Sequence, residues 1–262
     1  MAGKTTGKPV VIITGASSGI GEATARRFAK GGYRIVAVAR RKDRLEALAR
    51  ELSGMTEVAV CVADVTAKDA PERAVGMALD RFGRLDCLVN NAGSFKFGSV
   101  GQIDDQALDE EVELSFKAPF RFSRAALNVM QAGSSIVNIG SVWGILAGMG
   151  GGAYCALKSA LVGMTQSVAA DYGAKGIRAN VVAPSVVKTD MTKDFWDTDG
   201  FQRTNQELTP SDRDCTVEDV ANAVFFLASP EGSFINGQTL ALDGGWSTTK
   251  YLCAAAIAAE RK

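Results

Sequence analysis

From Val10 to Leu242 the chain alternates short apolar runs, rich in β-branched residues, with longer amphipathic stretches. The first run, residues 10–13, stops at Thr14-Gly15, and the helical pattern after it closes at Gly31-Gly32. Strands are predicted over 34–39, 58–62, 85–89, 135–139, 177–182 and 239–242. Between them the spacing predicts helices over 43–52, about 71–82, about 104–130, the segment carrying Tyr154, and 217–228. Short strands that are apolar throughout belong to a parallel sheet covered on both faces. Right-handed crossovers then build a doubly wound α/β sheet of the Rossmann type, with ligands at the carboxyl ends of its strands. No linker, repeat or break in composition interrupts the alternation, so residues 1–262 are expected to form a single domain. Residues 190–214 fall outside the pattern; they are polar, carry Phe195, Trp196 and Phe201, and suggest a lid. The alanine-rich tail, residues 248–262, suggests a short terminal helix.

Composition narrows the chemistry. The chain has 262 residues, 47% hydrophobic, enough for a large core. Lysine plus arginine equals aspartate plus glutamate, 29 each, so net charge gives no reason to expect a nucleic-acid partner. Histidine is absent, which excludes every Ser-His or Cys-His nucleophile and every histidine-ligated zinc. The five cysteines are scattered, never form C-x-x-C, and read as reduced packing thiols; no metal site is expected. No apolar run reaches the ~18 residues of a membrane span, and none near the start resembles a signal peptide. The expectation is a soluble cytoplasmic protein.

Tyr154 and Lys158 stand four residues apart in a helical segment and therefore share a face. A neighbouring ammonium favours the phenolate and is expected to lower the phenol's pKa, giving a general acid or base. Ser141, at the end of an apolar strand, can bond the same substrate oxygen. The glycine loop from Thr14 to Gly21 lies between strand and helix, and Gly15, Gly19 and Gly21 permit close approach to a pyrophosphate at the helix N-terminus.

Thr14-Gly15-x-x-x-Gly19-x-Gly21, Asn90-Asn91-Ala92-Gly93, Ser141 and Tyr154-x-x-x-Lys158 together resemble the short-chain dehydrogenase/reductase family, in the family's order, from about Val10 to Gly245. The resemblance implies an NAD(P)-dependent oxidoreductase moving hydride between nicotinamide and a carbonyl or carbinol carbon. It gives proton transfer to Tyr154, positioning of the substrate oxygen to Ser141, and contact with the nicotinamide ribose to Lys158. It also assigns cofactor contacts to Gly15, Ser17, Ser18, Gly19, Ile20, Gly21, Asp64, Val65, Asn91 and Thr189. Asp64 has an alternative reading as a helix cap, and Asn90 is expected to be structural as well as near the cofactor. At the end of the second strand the chain reads Val38-Ala39-Arg40-Arg41, with no acid to hold ribose hydroxyls. A guanidinium suits a 2′-phosphate, and the family's NADP-preferring members carry arginine at the position of Arg40, so NADP(H) is expected over NAD(H). Ser18 stands where some relatives have a second basic residue.

Two positions depart from the family pattern. Ser115 replaces an asparagine thought to hold a water behind the catalytic lysine; its hydroxyl offers a single donor. Ser185 replaces the glycine of a Pro-Gly pair, which matters if that backbone needs a positive φ. Apolar and aromatic residues in 94–97, 142–152 and the lid suggest a hydrophobic ketone or secondary alcohol as substrate, and the glycine run 148–152 suggests a flexible wall. The alternatives are reduction of a 3-oxoacyl group on acyl carrier protein, for which Lys117, Arg121 and Arg124 would supply the basic surface, and a non-catalytic NADP(H)-binding regulator. The resemblance also implies a homo-oligomer, tetramer or dimer.

Overall fold

The computed structural model describes residues 7–249; the expected terminal helix lies almost wholly outside them. The chain runs β1 (Val10–Thr14), α1 (Gly19–Lys30), β2 (Arg34–Ala39), α2 (Lys42–Leu52), β3 (Val58–Val62), α3 (Ala70–Phe82) and β4 (Cys87–Asn90). It continues through α4 (Asp105–Val112), a π-turn (Glu113–Lys117), α5 (Ala118–Leu127), β5 (Ser135–Ile139), α6 (Gly152–Tyr172) and β6 (Arg178–Pro184). The last elements are α7 (Lys193–Trp196), α8 (Asp199–Leu208), α9 (Val217–Ala228) and β7 (Thr239–Leu242). The expected long helix over 104–130 is thus two α-helices joined by a π-turn. Pro119 has no N–H to give the Ser115 carbonyl, so the ordinary helical ladder is broken at that point.

The strands form one parallel sheet in the order β3-β2-β1-β4-β5-β6-β7. Their side chains point alternately to two cores. On one face Val10, Ile12, Val36, Leu88 and Ile136 meet Ala74, Ala78, Phe122 and Ala126 from α3 and α5. On the other, Val11, Ile13, Ile35, Val89 and Val137 meet Phe28, Leu45, Leu48 and Val224 from α1, α2 and α9. Burial of each large aliphatic or aromatic side chain contributes about 1.5–3 kcal/mol. Strand order reverses between β1 and β4, which opens a crevice at their carboxyl ends. The glycine loop follows β1, Asn91 follows β4 and Ser141 follows β5, so all three meet there.

Candidate active site

The glycine loop is braced from below. Asn91 donates its side-chain amide to the Thr14 carbonyl at 2.9 Å, and the backbone N–H groups of Asn91 and Ala92 donate to Thr14 Oγ1 at 2.9 and 3.0 Å. Gly15 has φ +68°, and a Cβ there would fall 2.7 Å from the Asn91 amide nitrogen. A Cβ on Gly21 would fall 2.3 Å from the Gly15 carbonyl oxygen. Only glycine lets the first turn of α1 seat this close to β1. Ser18 caps α1 without a side-chain hydrogen bond to its N–H groups, which leaves that helix end to a bound anion. The loop therefore fits a dinucleotide pyrophosphate. Ile20 is half-buried against the core below the loop, Val65 is buried beside β3, and Thr189 lies over Gly19.

At the end of β2 the two arginines divide. Arg40 has an 80% exposed side chain and reaches only Asp64, at 3.7 Å. Asp64 accepts from the backbone and hydroxyl of Thr66, at 3.0 and 2.7 Å, and these bonds hold its carboxyl below the usual range. It caps no helix, since α3 begins after Asp69. Arg41, absent from the expected site, turns to the loop: Nε donates to Ser17 Oγ at 3.1 Å and Nη2 to Ser18 Oγ at 2.5 Å. Its Nη1 pairs with Asp190 at 2.9 Å, as does that of Arg44. The Arg-Arg pair was the sequence signal, but only the fold distinguishes its members.

Ser141, Tyr154 and Lys158 come together as expected. Ser141 stands two residues beyond β5 in extended backbone, and its Oγ accepts from the Trp143 N–H at 3.1 Å. Tyr154 lies close enough for the Ser141 hydroxyl to influence its phenol. Lys158 is buried; its Nζ donates to the Ile139 carbonyl at 2.8 Å and lies 5.5 Å from the Tyr154 ring centroid. Burial brings Lys158 down to about 8, opposed by the negative charge of Glu111. The Tyr154 phenol is pushed above its ordinary value, chiefly by burial, with the neighbouring Ser141 hydroxyl pulling the other way. The net direction is thus opposite to the lowering expected from Lys158, because burial of the phenol dominates.

Both departures from the family pattern acquire a context. Ser115 is buried in the π-turn and donates to Glu111 Oε2 at 3.3 Å. Glu111, itself buried, was not anticipated; in the run Leu108 to Glu113 it reads as one of several solvent-facing acids. Ser185 donates its N–H to the Leu242 carbonyl at 2.9 Å, and no described residue other than glycine has a positive φ. Serine at 185 therefore carries no backbone strain.

Around Tyr154 the side chains are aromatic. Phe95 meets Tyr154 edge to face at 5.0 Å, and Trp143 lies 5.6 Å from Phe95 and 6.3 Å from Tyr154. The glycine run is a bearing surface for these rings and not a loose wall. A Cβ on Gly150 would lie 2.2 Å from the Phe97 ring, and one on Gly148 2.1 Å from Trp143. Gly98 N–H donates to the Gly150 carbonyl at 2.7 Å and ties the wall to the neighbouring loop. In the lid, Phe195 meets Phe201 edge to face at 4.8 Å and Trp196 meets it at a tilt at 5.7 Å, so these aromatics pack the lid itself. Among the described residues no group of histidine, cysteine, aspartate and glutamate is arranged to hold a metal, and no helix is long and apolar enough to cross a membrane. Burial pushes the Cys87 thiol up to about 12 and Cys215 to about 11, as suits packing thiols.

A family profile described as enoyl-(acyl carrier protein) reductase matches residues 15–247. The chain is 35% identical over 257 residues to (+)-borneol dehydrogenase 2 of Salvia officinalis, covering 92% of this chain and 90% of that one. It is 34% identical over 239 residues to a 3-oxoacyl-[acyl-carrier-protein] reductase of Thermotoga maritima, covering 90% and 96%. The chain belongs to the short-chain dehydrogenase/reductase family. It is thus an oxidoreductase of the short-chain type acting on a CH–OH group. Solved structures of the family superpose along nearly the whole fold. A short-chain dehydrogenase of Burkholderia cenocepacia, in complex with NADP, gives a TM-score of 0.86 at 32% identity, covering 94% of this chain and all of that one. A family member from Serratia marcescens gives 0.87 at 34% identity, covering 92% and 98%.

Proposed function

We propose that this protein is an NADP(H)-dependent oxidoreductase that interconverts a small hydrophobic ketone and its secondary alcohol. The observation that carries the reading is the convergence of Ser141 and Tyr154, backed by buried Lys158 and walled by Phe95 and Trp143, beside the braced glycine loop. Gly15 to Gly21 and the N-terminus of α1 would hold the pyrophosphate. Arg41, with Ser17 and Ser18, would meet a 2′-phosphate from one side, and Arg40 is free to swing from Asp64 to the other. Structural relatives solved in complex with NADP and with NADPH support that choice. The bound dinucleotide would supply or take up the hydride.

The protein's own part is the proton. Because Ser141 Oγ accepts from Trp143, its own proton is available for the substrate oxygen. In reduction, Tyr154 Oη gives its proton to the oxygen on which negative charge develops; in oxidation the same oxygen takes it back. The phenol is in its acid form at neutral pH, the form that reduction requires. Phe95 and Trp143 exclude water and offer an apolar surface to the substrate's carbon skeleton.

The carrier-protein alternative has less support from the surface. Lys117 and Arg121 are both paired with Glu113, so only Arg124 of the three basic residues lies outside that ion-pair cluster. Turnover of hydrophobic ketones and of a 3-oxoacyl thioester, followed by NADPH absorbance, tests the two readings together. The expected result is activity with ketones, a higher kcat/KM for NADPH than for NADH, and loss of that preference in Arg41→Ala. Tyr154→Phe is expected to lower kcat about 10²–10⁴-fold. Undiminished hydride transfer in that variant would overturn the mechanism, and preference for NADH would overturn the cofactor.

A further inference from the structure

The carboxylate of Glu111 has no part in the chemistry above, yet it is 1% exposed. Its Oε1 accepts from Ser94 Oγ at 2.5 Å and its Oε2 from Ser115 Oγ at 3.3 Å. Both donors are neutral hydroxyls. Among the described residues no cation pairs directly with Glu111, although its neighbours on α4 and the π-turn, Glu110 and Glu113, are paired with Lys96 and with Lys117 and Arg121. An unpaired carboxylate out of water is costly and requires a compensating charge within reach. The other buried cation, Arg178, is spent on the carbonyls of Leu227 and Ile235.

Lys158 meets the requirement. Its Nζ lies 3.8 Å from where a Cβ on Gly93 would stand, and Gly93 is bonded to Ser94, the residue that holds Glu111. The π-turn carrying Ser115 packs against α6, which carries Lys158. Lys158 in turn has a carbonyl as its hydrogen-bond acceptor and no bonded carboxylate. Two buried groups of opposite charge therefore lie on elements that pack together, Lys158 beside Gly93 and Glu111 bonded to the Ser94 and Ser115 hydroxyls.

We infer that Glu111 is a positioning residue that keeps Lys158 charged and oriented behind Tyr154, acting through the Ser115 and Ser94 hydroxyls in place of the amide that Ser115 lacks. Burial alone favours neutral Lys158; Glu111 opposes it. Besides Lys158, the titratable groups facing this carboxylate are Tyr154 from α6 and Lys96 from the loop before α4. Lys96 is held by Glu110 at the surface, where solvent screens it. The pairing of Ser115 with Glu111 then reads as one compensated change: a hydroxyl with a single donor is aimed by a carboxylate one helical turn earlier.

The kinetic consequence rests on the reductase reading, but the charge relation does not, so the test has two arms. The titration of Lys158 is followed by NMR of the full chain labelled at lysine ¹³Cε, with Lys158→Met to assign the resonance. Glu111→Gln is expected to move the Lys158 midpoint down by about one pH unit or more. In the kinetic arm, the alkaline limb of the kcat profile is expected to move the same way, with KM for the ketone unchanged and partial recovery in Glu111→Asp. A Lys158 midpoint identical in wild type and Glu111→Gln would overturn the inference. If Glu111→Gln does not fold, Glu111→Asp is titrated instead, and an unmoved midpoint there overturns it equally. If the midpoint moves while wild type turns over no carbonyl, the inference stands and the reductase reading falls.

Discussion

Lys158 is a charged group that the fold keeps out of water, and this has a thermodynamic signature. Its folded pKa, about 8, lies below the ordinary 10.5. Between those values the native protein binds fewer protons than the unfolded chain, so stability rises with pH across that window. Below pH 8 both states are protonated and the full burial cost, roughly 3 kcal/mol, weighs on the native state. Lys158→Met is therefore expected to be more stable than wild type at pH 7, with the gap narrowing as pH rises toward 10; urea midpoints at several pH values check it. At this scale the sequence was informative wherever chemistry imposed a spacing. Tyr154 and Lys158 had to share a helix face, and Ser141 had to follow a strand. Glu111 was illegible because its neighbours are acids and its burial depends on α6, forty residues away. Arg41 was illegible for the same reason: the choice between adjacent arginines is made by Ser17 and Ser18 in the glycine loop.

Among the elements, the strand–turn–helix unit at the N-terminus has the least latitude. A methyl group on Gly21 would meet the Gly15 carbonyl and the Asn91 amide, both fixed, so the backbone must yield. Gly21→Ala is expected to cost about 1–3 kcal/mol of stability and to weaken NADPH binding, read from denaturant midpoints and fluorescence titration. Strand and helix positions were legible because apolar period and glycine stops act locally. The π-turn was not: Pro119 announces a disturbance in the helix, but proline at a helix start reads the same way in sequence. The glycine run before α6 suggested looseness by composition, whereas Trp143 and Phe97 pack directly on it.

For the whole molecule, parallel order and two-sided burial followed from uniformly apolar strands, and the crevice between β1 and β4 followed from that order. What joins the two ends of the cleft is a contact between distant segments. Arg41 stands where the cofactor is proposed to bind and Asp190 at the start of the lid, yet they form one ion pair. Asp190, held below its usual pKa by Arg41 and Arg44, is an anion throughout the neutral range. A 2′-phosphate arriving at Arg41 is a second anion contending for the same guanidinium. The carboxylate would thus act as an internal competitor of the cofactor for Arg41, its displacement loosening the lid while Arg44 still holds it. Tryptic cleavage after Lys193 is accordingly expected to quicken with NADPH but not with NADH, and to be fast without either in Asp190→Asn. The cleft would then report which dinucleotide it holds through the looseness of its own cover.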